Sequence, residues 1–295
     1  MDIYVHVMGG CNLSCRYCWY ETGELSYSRT RLTPLDLDTW LKQLESTGIE
    51  INSVILTGGE PMIHRQFRQF VDVAVTRVPN VVVLTNGTLM TTEWADMFQE
   101  KKIGVHISID SLTEEHHNTW RGRHADVKEA IRLLEKCEVS NRRMVTVVNR
   151  ENIDEIPLLW EYSLAHGFSI EFQPADIPTT DDAHLANCTP EEVTKLNKFL
   201  RPWAQMNEKM YYIGFFTIVT TGASLPLLRE CPFAERSLII DSDGSVYACF
   251  QKKLLSWKLG NIVYDDIVSI MKKRALILED THPTKCLELG CLGVF

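Results

Sequence analysis

Short runs of aliphatic residues recur along the first 175 residues and constrain the fold more than any other feature. Segments with helical spacing separate these runs, which are Ile3–Val7, Ile51–Leu56, Val81–Thr85, Gly104–Asp110, Arg143–Val148 and Phe168–Gln173. Strands that are apolar along their whole length are buried on both faces, as in parallel sheets covered by helices. About six β/α units are visible, fewer than the eight of a closed (β/α)8 barrel. The sequence therefore predicts an α/β fold with a partial, open barrel.

Helix signals fill the intervals between the predicted strands. Thr33 followed by Pro34 is a typical helix start, and Thr189-Pro190 repeats it. The predicted helices cover residues 34–45, 66–78, 92–101, 127–137, 153–166, 190–206 and 266–275. Residues 174–187, rich in Pro, Thr, Asp and Ala, are predicted to form a loop.

Composition narrows the class of protein. The 295 residues carry a formal net charge of −9, which argues against nucleic acid as a partner and mildly favours a cationic one. The chain starts without a basic, apolar signal segment and contains no run of membrane-spanning length. Nine cysteines, an odd number, fit metal or cluster ligation in a reducing compartment better than a disulfide framework. We expect a cytoplasmic protein that does not bind membranes.

Three of the cysteines stand close together directly after the first strand. Cys11, Cys15 and Cys18 follow a C-x3-C-x2-C spacing, and no fourth cysteine lies nearby. A structural zinc site takes four ligands, whereas three thiolates on a [4Fe–4S] cluster leave one iron open to another ligand. A zinc site with a distant fourth ligand and three ordinary buried thiols are the alternatives.

This motif resembles that of the radical SAM family, in which the open iron chelates S-adenosylmethionine. The turn Gly58-Gly59-Glu60-Pro61, at the end of the second predicted strand, is a second mark of the resemblance. In the family this turn holds the methionyl amine of the cofactor, and a carboxylate such as Glu60 suits an ammonium group. Standing alone, the same residues would be read as an ordinary strand-to-helix turn.

The resemblance implies further cofactor contacts near the ends of the following strands. It assigns Asn86, Ser108 and Asp110 to the ribose and methionyl carboxylate, and Arg121 to that same carboxylate. It also puts an aromatic residue such as Tyr17 near the adenine; Trp19 is explained equally well by core packing. Turn, cap or solvated surface roles are the alternatives for the polar residues.

The carboxyl-terminal part has a different character. An Asp-Gly turn at 243–244 between two β-rich runs predicts a hairpin. Together with the surrounding cysteines it resembles the "twitch" extension of radical SAM enzymes, which implies an auxiliary [4Fe–4S] cluster. The corresponding residues are Cys231, Cys249, Cys286 and Cys291. A zinc ribbon is the alternative. Cys286 and Cys291 are spaced more widely than a C-x2-C pair, which leaves the fourth ligand of the auxiliary cluster undecided, and Cys188 is the substitute candidate for it.

The resemblance thus predicts a (β/α)6 partial barrel of radical SAM type over residues 1–205. A small hairpin-and-helix domain with the auxiliary cluster would follow over residues 206–295. Cys249 has two mutually exclusive roles: it ligates the auxiliary cluster, or its thiol returns a hydrogen to a substrate carbon radical. We predict the donor role, which leaves Cys231, Cys286 and Cys291 as cluster ligands.

Taken as a whole, the chain resembles radical SAM epimerases of aminoglycoside biosynthesis. That resemblance implies inversion of one carbon of a terminal amino sugar, with a polycationic small molecule as substrate. An electron donor such as a flavodoxin or ferredoxin is the expected partner. Carboxylates in segments that would line the cavity fit a polyamine, although a solvated role is the alternative for each of Asp176, Asp181, Asp182, Glu230 and Glu235.

Three other functions stay open. A dehydrogenase of an aminocyclitol or sugar alcohol would use all four distal cysteines on the auxiliary cluster. A peptide-modifying enzyme would normally carry a recognition segment ahead of the barrel, and this chain begins at its first strand. A non-catalytic iron–sulfur electron carrier would not cleave S-adenosylmethionine.

Overall fold

The computed structural model of the chain describes residues 1–18, 31–207, 210–222, 236–249 and 257–280. Six residues discussed above lie outside this part: Trp19, Glu230, Cys231, Glu235, Cys286 and Cys291.

Six strands form a parallel sheet in which sequence neighbours are also spatial neighbours. They are β1 (Asp2–Met8), β2 (Ser53–Gly58), β3 (Asn80–Thr85), β4 (Gly104–Ser108), β5 (Arg142–Val148) and β6 (Ser169–Pro174). A helical connection separates each strand from the next wherever the connection is described, as parallel pairing requires. The predicted parallel β/α sheet is confirmed.

The helices begin where the sequence provides caps. Thr33 accepts a hydrogen bond from the Asp36 N–H in a capping box, and Thr189 does the same with Glu192. The described helices are α1 (Pro34–Ser46), α2 (Phe67–Arg77), α3 (Thr92–Glu100), α4 (Glu114–Trp120), α5 (His124–Lys136), α6 (Glu155–Ala165), α7 (Pro190–Met206), α8 (Met210–Thr221) and α9 (Ile267–Asp280). Within the described ranges, none of them has the length and apolar character needed to cross a membrane.

The two faces of the sheet differ in chemistry. Directly paired residues on neighbouring strands point to the same face. On the outer face, aliphatic residues pack into the main core against the helices, among them Ile3, Val54, Val83, Ile107 and Ile170. The inner face is largely polar: Tyr4, His106, Arg143 and Glu171 share it by register.

The sheet curves so that its inner face surrounds a lumen. Burial raises the pKa of Tyr4 on β1 to about 12; the charges of Asp2 and Glu171 add to the rise and Arg143 opposes it. Arg143 and Glu171 lie on β5 and β6, four and five strands away from β1. Residues so far apart in a flat sheet would not interact, so the strands close into a partial barrel, as predicted.

A hairpin extends the sheet beyond β1. Strand β7 (Ser237–Ile240) pairs parallel with β1, and β8 (Ser245–Tyr247) and β9 (Lys258–Asn261) follow antiparallel. The predicted Asp-Gly turn connects β7 to β8, with Gly244 at φ +84°. The hairpin thus shares one sheet with the barrel, while the domain boundary at 205/206 stays a prediction.

Two helices were missing from the prediction. Helix α8 (MYYIGFFTIVTT) contains no charged residue, so it shows no polar face from which a helical period can be read. Helix α4 has only seven residues, too few for a clear period. The predicted start of β2 at Ile51 was also early by two residues, because Ile51 lies just ahead of the strand.

Helix α4 carries a fully buried histidine, which makes stability depend on pH. Burial lowers the pKa of His117 to about 4, below its usual value near 6.5. The unfolded chain therefore binds a proton that the folded chain excludes. This contribution is complete above pH 6.5 and is lost progressively as the pH falls towards 4.

We predict that His117→Gln removes this part of the pH dependence. Between pH 7 and pH 5 the wild type should lose about 2 kcal/mol of unfolding free energy that the variant does not lose. Urea unfolding of both proteins, handled anaerobically at the two pH values, measures the difference. Equal losses in the two proteins would contradict the assignment to His117.

Candidate active site at the carboxyl ends of the strands

The three amino-terminal cysteines lie on the loop that leaves β1. The Cys18 N–H donates to the Cys15 carbonyl at 2.9 Å, which turns the loop back on itself. The Leu13 N–H points to the Cys11 Sγ at 3.4 Å. Each of these cysteines is partly exposed and free of disulfides. We call residues 11–18 the cluster loop.

The thiols are close enough to influence one another. Burial raises the pKa of Cys15 to about 11, the nearby Arg121 opposes this rise, and Cys18 and Cys11 add to it. In the described ranges, no group of three or more His, Cys, Asp or Glu side chains is arranged to hold a single metal ion. A [4Fe–4S] cluster can attach each thiolate to a different iron.

The glycines after β2 pack against the backbone that carries this loop. A Cβ on Gly58 would lie 2.2 Å from the Met8 carbonyl oxygen, and one on Gly59 would lie 2.1 Å from that of Gly10. The Gly59 N–H donates to Met8 and the Glu60 N–H donates to Gly10, at 2.9 and 3.0 Å. Because glycine has no side chain, the turn after β2 can pack directly against the main chain of residues 8–10. The sequence analysis did not predict this contact.

Glu60 is a fully buried hydrogen-bond acceptor. Its carboxylate accepts from the Met62 N–H at 3.1 Å, the Thr85 hydroxyl at 2.8 Å and the Asn86 N–H at 2.7 Å. Burial raises the pKa of Glu60, and these hydrogen bonds oppose the rise. Glu60 therefore ties the ends of β2 and β3 together; its predicted contact with the methionyl amine stays a prediction.

Asn86 connects the end of β3 to the cluster loop. Its Nδ2 donates to the Asn12 Oδ1 at 2.9 Å and lies 3.7 Å from the Cys11 Sγ. The Thr88 hydroxyl donates to the Asn86 Oδ1 at 2.7 Å. If Cys11 ligates a cluster, as predicted, an amide beside its sulfur is the kind of outer contact that orients the ligand and tunes the cluster.

Asp110 joins three elements around the cluster loop. Its carboxylate accepts from the Tyr17 hydroxyl, from the Arg121 Nε at 3.1 Å and from the Val147 N–H at 2.9 Å. Asp110 is fully buried and the Arg121 side chain is 9% exposed, so a solvated surface role for Arg121 is wrong. Burial works to lower the pKa of Arg121, but Asp110 and then Tyr17 raise it well above its usual value.

The remaining predicted residues lie at different levels of the barrel. Ser108 ends β4 and pairs with Val145, so it belongs to the same rim as Asp110. Cys249 is buried, with 4% of its surface exposed, and lies two residues beyond the end of β8. Tyr247 pairs with Ile239 and Ile239 with Tyr4, so β8 runs towards the amino end of β1 and ends two residues before Cys249.

The sequence analysis did not predict the contacts that hold Arg16 of the cluster loop in place. Both carboxylate oxygens of Asp181 accept from the Arg16 Nη2, at 2.9 and 2.8 Å, and the Arg16 guanidinium lies 4.3 Å from the Trp120 ring centre. The Trp120 indole N–H donates to Glu151 at 2.8 Å. Arg16 and Asp181 are 165 positions apart, so no local spacing signals the pair. Asp181 thus holds this loop, and its place in the substrate cavity stays a prediction.

The chain belongs to the Radical SAM superfamily, whose family model matches residues 5–159, more than half of the chain. A second model, described as the SPASM iron-sulfur cluster-binding domain, matches residues 231–288. The chain is therefore a radical SAM enzyme with a carboxyl-terminal cluster-binding domain of SPASM/twitch type. Its cofactors are S-adenosylmethionine, a [4Fe–4S] cluster that binds it, and an auxiliary [4Fe–4S] cluster.

Similarity to individual proteins extends over most of the chain. A cysteine-type anaerobic sulfatase-maturating enzyme of Clostridium novyi is 28% identical over 279 residues, covering 85% of this chain and 74% of that protein. The solved structure of anSMEcpe with bound AdoMet and Kp18Cys peptide superimposes with a TM-score of 0.71 at 23% identity, covering 94% of this chain and 82% of that one. Streptococcus suis SuiB bound to precursor peptide SuiA gives a TM-score of 0.72 at 16% identity, covering 99% and 70%.

The described residues fit the amino-terminal cofactors. The cluster loop offers three thiols on one turn, and Leu13 and Asn86 direct N–H groups at Cys11. Thiols must lose their protons to bind iron, and metal binding supplies the free energy for this. The loop is held from four sides by the Gly58-Gly59 turn, Asn86, Asp110 and Asp181.

We predict that Gly59→Ala lowers iron binding by the amino-terminal loop. The new Cβ would meet the Gly10 carbonyl oxygen, so the cluster loop must move away from the turn. Iron per chain after anaerobic reconstitution should fall towards the level of one cluster. Gly48→Ala is the control, since its Cβ would meet no atom within 4 Å; its φ of +78° strains the variant's backbone but lies far from the cluster loop. Full iron content in the Gly59 variant would contradict the role of this contact.

We predict that Asp110→Asn destabilises the fold strongly. It leaves the buried Arg121 charge without its carboxylate, a loss that typically costs about 3–5 kcal/mol. The control is Asp126→Asn, whose partner Arg123 is exposed, and which should change stability little. Urea midpoints of the anaerobic proteins measure both. Similar midpoints for the two variants would contradict a strong stabilising role of the Asp110 carboxylate.

Proposed function

We propose that this radical SAM enzyme is an epimerase that inverts one carbon of an aminoglycoside sugar, as in the conversion of neomycin C to neomycin B at C-5‴. The observation that carries the proposal is the separation of the cluster loop and Cys249 along the barrel axis. The cluster loop leaves the carboxyl end of β1, whereas β8 runs towards the amino end of β1 and ends level with Tyr4, two residues before Cys249. Four residue steps separate Tyr4 from Met8, or about 13 Å.

Inversion needs hydrogen removal on one face of a carbon and hydrogen return on the other. Once bound, S-adenosylmethionine and its cluster supply the first step, hydrogen-atom abstraction from an unactivated carbon. A donor for the second step belongs on the far side of the substrate. A buried thiol that follows β8 towards the amino end of the barrel meets that requirement.

The return of hydrogen to the substrate needs a hydrogen donor, and its regeneration needs an external reductant. The Cys249 S–H bond breaks as the new C–H bond forms, and a thiyl radical is left on the sulfur. One electron and one proton restore the thiol. We propose that the electron comes from a flavodoxin or ferredoxin, the same kind of donor that reduces the amino-terminal cluster.

The proposed site has three groups of residues. The cluster that binds S-adenosylmethionine is held by Cys11, Cys15 and Cys18, and the auxiliary cluster by Cys231, Cys286 and Cys291. Residues at the carboxyl ends of β1–β4 and next to them hold S-adenosylmethionine: Tyr17, Gly58, Gly59, Glu60, Asn86, Ser108, Asp110 and Arg121. For Asp110 and Arg121 the mutual ion pair supports a positioning role as well. The boundary between the two proposed domains is 205/206.

Peptide modification is the second candidate, and the comparisons favour it. The C. novyi relative is a sulfatase-maturating enzyme, and the two solved structures described above contain peptides. A peptide substrate would enter the same lumen, and the product would be oxidised rather than inverted if all distal cysteines ligate iron. A sugar-alcohol dehydrogenase would share that outcome.

We predict that turnover of neomycin C in D2O gives an inverted product with one deuterium at the inverted carbon. The thiol exchanges with solvent, whereas abstraction carries the original hydrogen into 5′-deoxyadenosine. Mass spectrometry and NMR of the product measure the label. An oxidised, unlabelled product would support the dehydrogenase instead, and activity only on a peptide would support the second candidate.

We predict that Cys249→Ala abolishes inversion while iron stays at the two-cluster level and 5′-deoxyadenosine still forms. Cys137→Ala is the matched control, since Cys137 caps the outer helix α5 away from the lumen. Iron per chain, 5′-deoxyadenosine and product are measured together. Loss of one cluster's worth of iron from the Cys249 variant would make this residue a ligand and exclude the donor role.

A further inference from the structure

Four side chains form a continuous series of ring contacts at the cluster loop. The Arg16 guanidinium lies 4.3 Å from the centre of the Trp120 ring, and the Tyr17 and Trp120 rings stack with their centres 6.1 Å apart. The Arg121 guanidinium lies 5.4 Å from the centre of the Tyr17 ring. Guanidinium groups are attracted to aromatic faces, and aromatic rings attract one another in offset stacks. We call Arg16, Trp120, Tyr17 and Arg121 the cation–aromatic stack.

A carboxylate neutralises the cation at each end of this stack. Asp181 pairs with Arg16 at 2.8 Å, and Asp110 pairs with Arg121 at 3.1 Å. Each arginine is therefore held from two sides, by a ring and by a carboxylate. Exposed ion pairs stabilise little when they are isolated and more when they belong to a network. The stack is a network of this kind.

The stack includes both residues that separate the second cysteine of the motif from the third. Arg16 and Tyr17 lie between Cys15 and Cys18. Trp120 contacts this dipeptide with its ring and also with its backbone, since the Arg16 N–H donates to the Trp120 carbonyl at 2.9 Å. Fixing the dipeptide restricts the directions in which the two cysteine side chains can leave the loop.

Trp120 itself is almost completely buried. Only 1% of its surface is exposed, so it has almost no free surface that S-adenosylmethionine could contact. It packs in a small hydrophobic cluster, separate from the main core, with Tyr17, Ala175, Ile177 and Ala183. Any influence of Trp120 on the cofactor must therefore pass through the residues that it contacts.

We infer that Trp120 is a positioning residue for the cleavage of S-adenosylmethionine. By holding the dipeptide between Cys15 and Cys18, it orients two of the three thiolates that would ligate the amino-terminal cluster. The orientation of the thiolates sets how the cluster meets the cofactor. This role does not depend on which substrate carbon reacts, so it goes beyond the proposed function and can be tested without an aminoglycoside.

The test is a titration of the anaerobically reconstituted, dithionite-reduced protein with S-adenosylmethionine, followed by electron paramagnetic resonance. Binding changes the spectrum of the amino-terminal cluster, and the concentration dependence of this change gives the dissociation constant of the cofactor. In Trp120→Leu the constant should rise about tenfold or more, because a cation–π contact and an aromatic pair are lost. Trp120→Phe keeps an aromatic ring in the stack and should stay within about threefold of the wild type. Iron per chain should stay at the two-cluster level in both variants, because all cysteines remain.

Trp94 provides a matched control. The Arg68 guanidinium lies 5.2 Å from the centre of its ring, Phe98 stacks on it at 5.8 Å, and Arg68 pairs with Glu93. Trp94 lies on helix α3 and packs against the main core. Trp94→Leu therefore removes the same kinds of contact elsewhere in the chain. It should leave the dissociation constant of the cofactor unchanged.

A milder pair of variants carries the test if Trp120→Leu does not fold or loses a cluster, as judged by its far-UV spectrum and iron content. Arg16→Gln removes the cation at the end of the stack where the side chain is 43% exposed. It should raise the dissociation constant about threefold, because one cation–π contact is lost. Arg68→Gln, which removes an arginine of similar exposure from the Trp94 ring, should not change it.

The outcomes separate this inference from the proposed function. A Trp120→Leu protein that binds S-adenosylmethionine as the wild type does, or no better rescued by Phe than by Leu, overturns the inference. Equal weakening by Trp94→Leu overturns it too, as does an unchanged constant in Arg16→Gln where that variant carries the test. A wild type that binds the cofactor but does not invert neomycin C rejects the proposed function and leaves the inference in place.

Discussion

The buried carboxylate of Asp110 is the interaction on which the site depends. It receives hydrogen bonds from the cluster loop through Tyr17, from the end of α4 through Arg121 and from β5 through the Val147 N–H. Three elements distant in sequence therefore meet at one pair of oxygens. A buried charge of this kind costs several kcal/mol to desolvate and is kept only where partners surround it. Arg121 provides the opposite charge. The hydrogen bond from Tyr17 to Asp110 fixes the position of the loop that carries the thiols.

At the carboxyl ends of the other strands, side chains also join neighbouring elements, through weaker hydrogen bonds and without an ion pair. Glu60 joins β2 to β3, and Asn86 joins β3 to the cluster loop. The backbone contact between Gly59 and Gly10 adds no charge but tolerates no side chain. Each strand end thus contributes one contact that limits where the next can move, which is the preorganisation that a reactive cofactor needs.

Much of this could be read from the sequence, because its signals are local. The β/α cadence, the spacing of Cys11, Cys15 and Cys18, the Gly58-Gly59 turn and the Asp-Gly hairpin each lie within a few residues. The partners of those residues could not be read. Arg16 and Asp181 meet across 165 positions, and the polar inner face appears only once register fixes which residues pair. Helix α8 was missed because it is apolar all round.

Strand β1 is hydrogen-bonded on both sides, to β2 and to β7, whereas β6 has a described neighbour on one side only. Interior strands open far less often than edge strands, because more bonds must break at once. The segment that carries the three thiols therefore follows a strand that is bonded on both sides. Local opening is expected to start at β6, five strands away from the cluster loop.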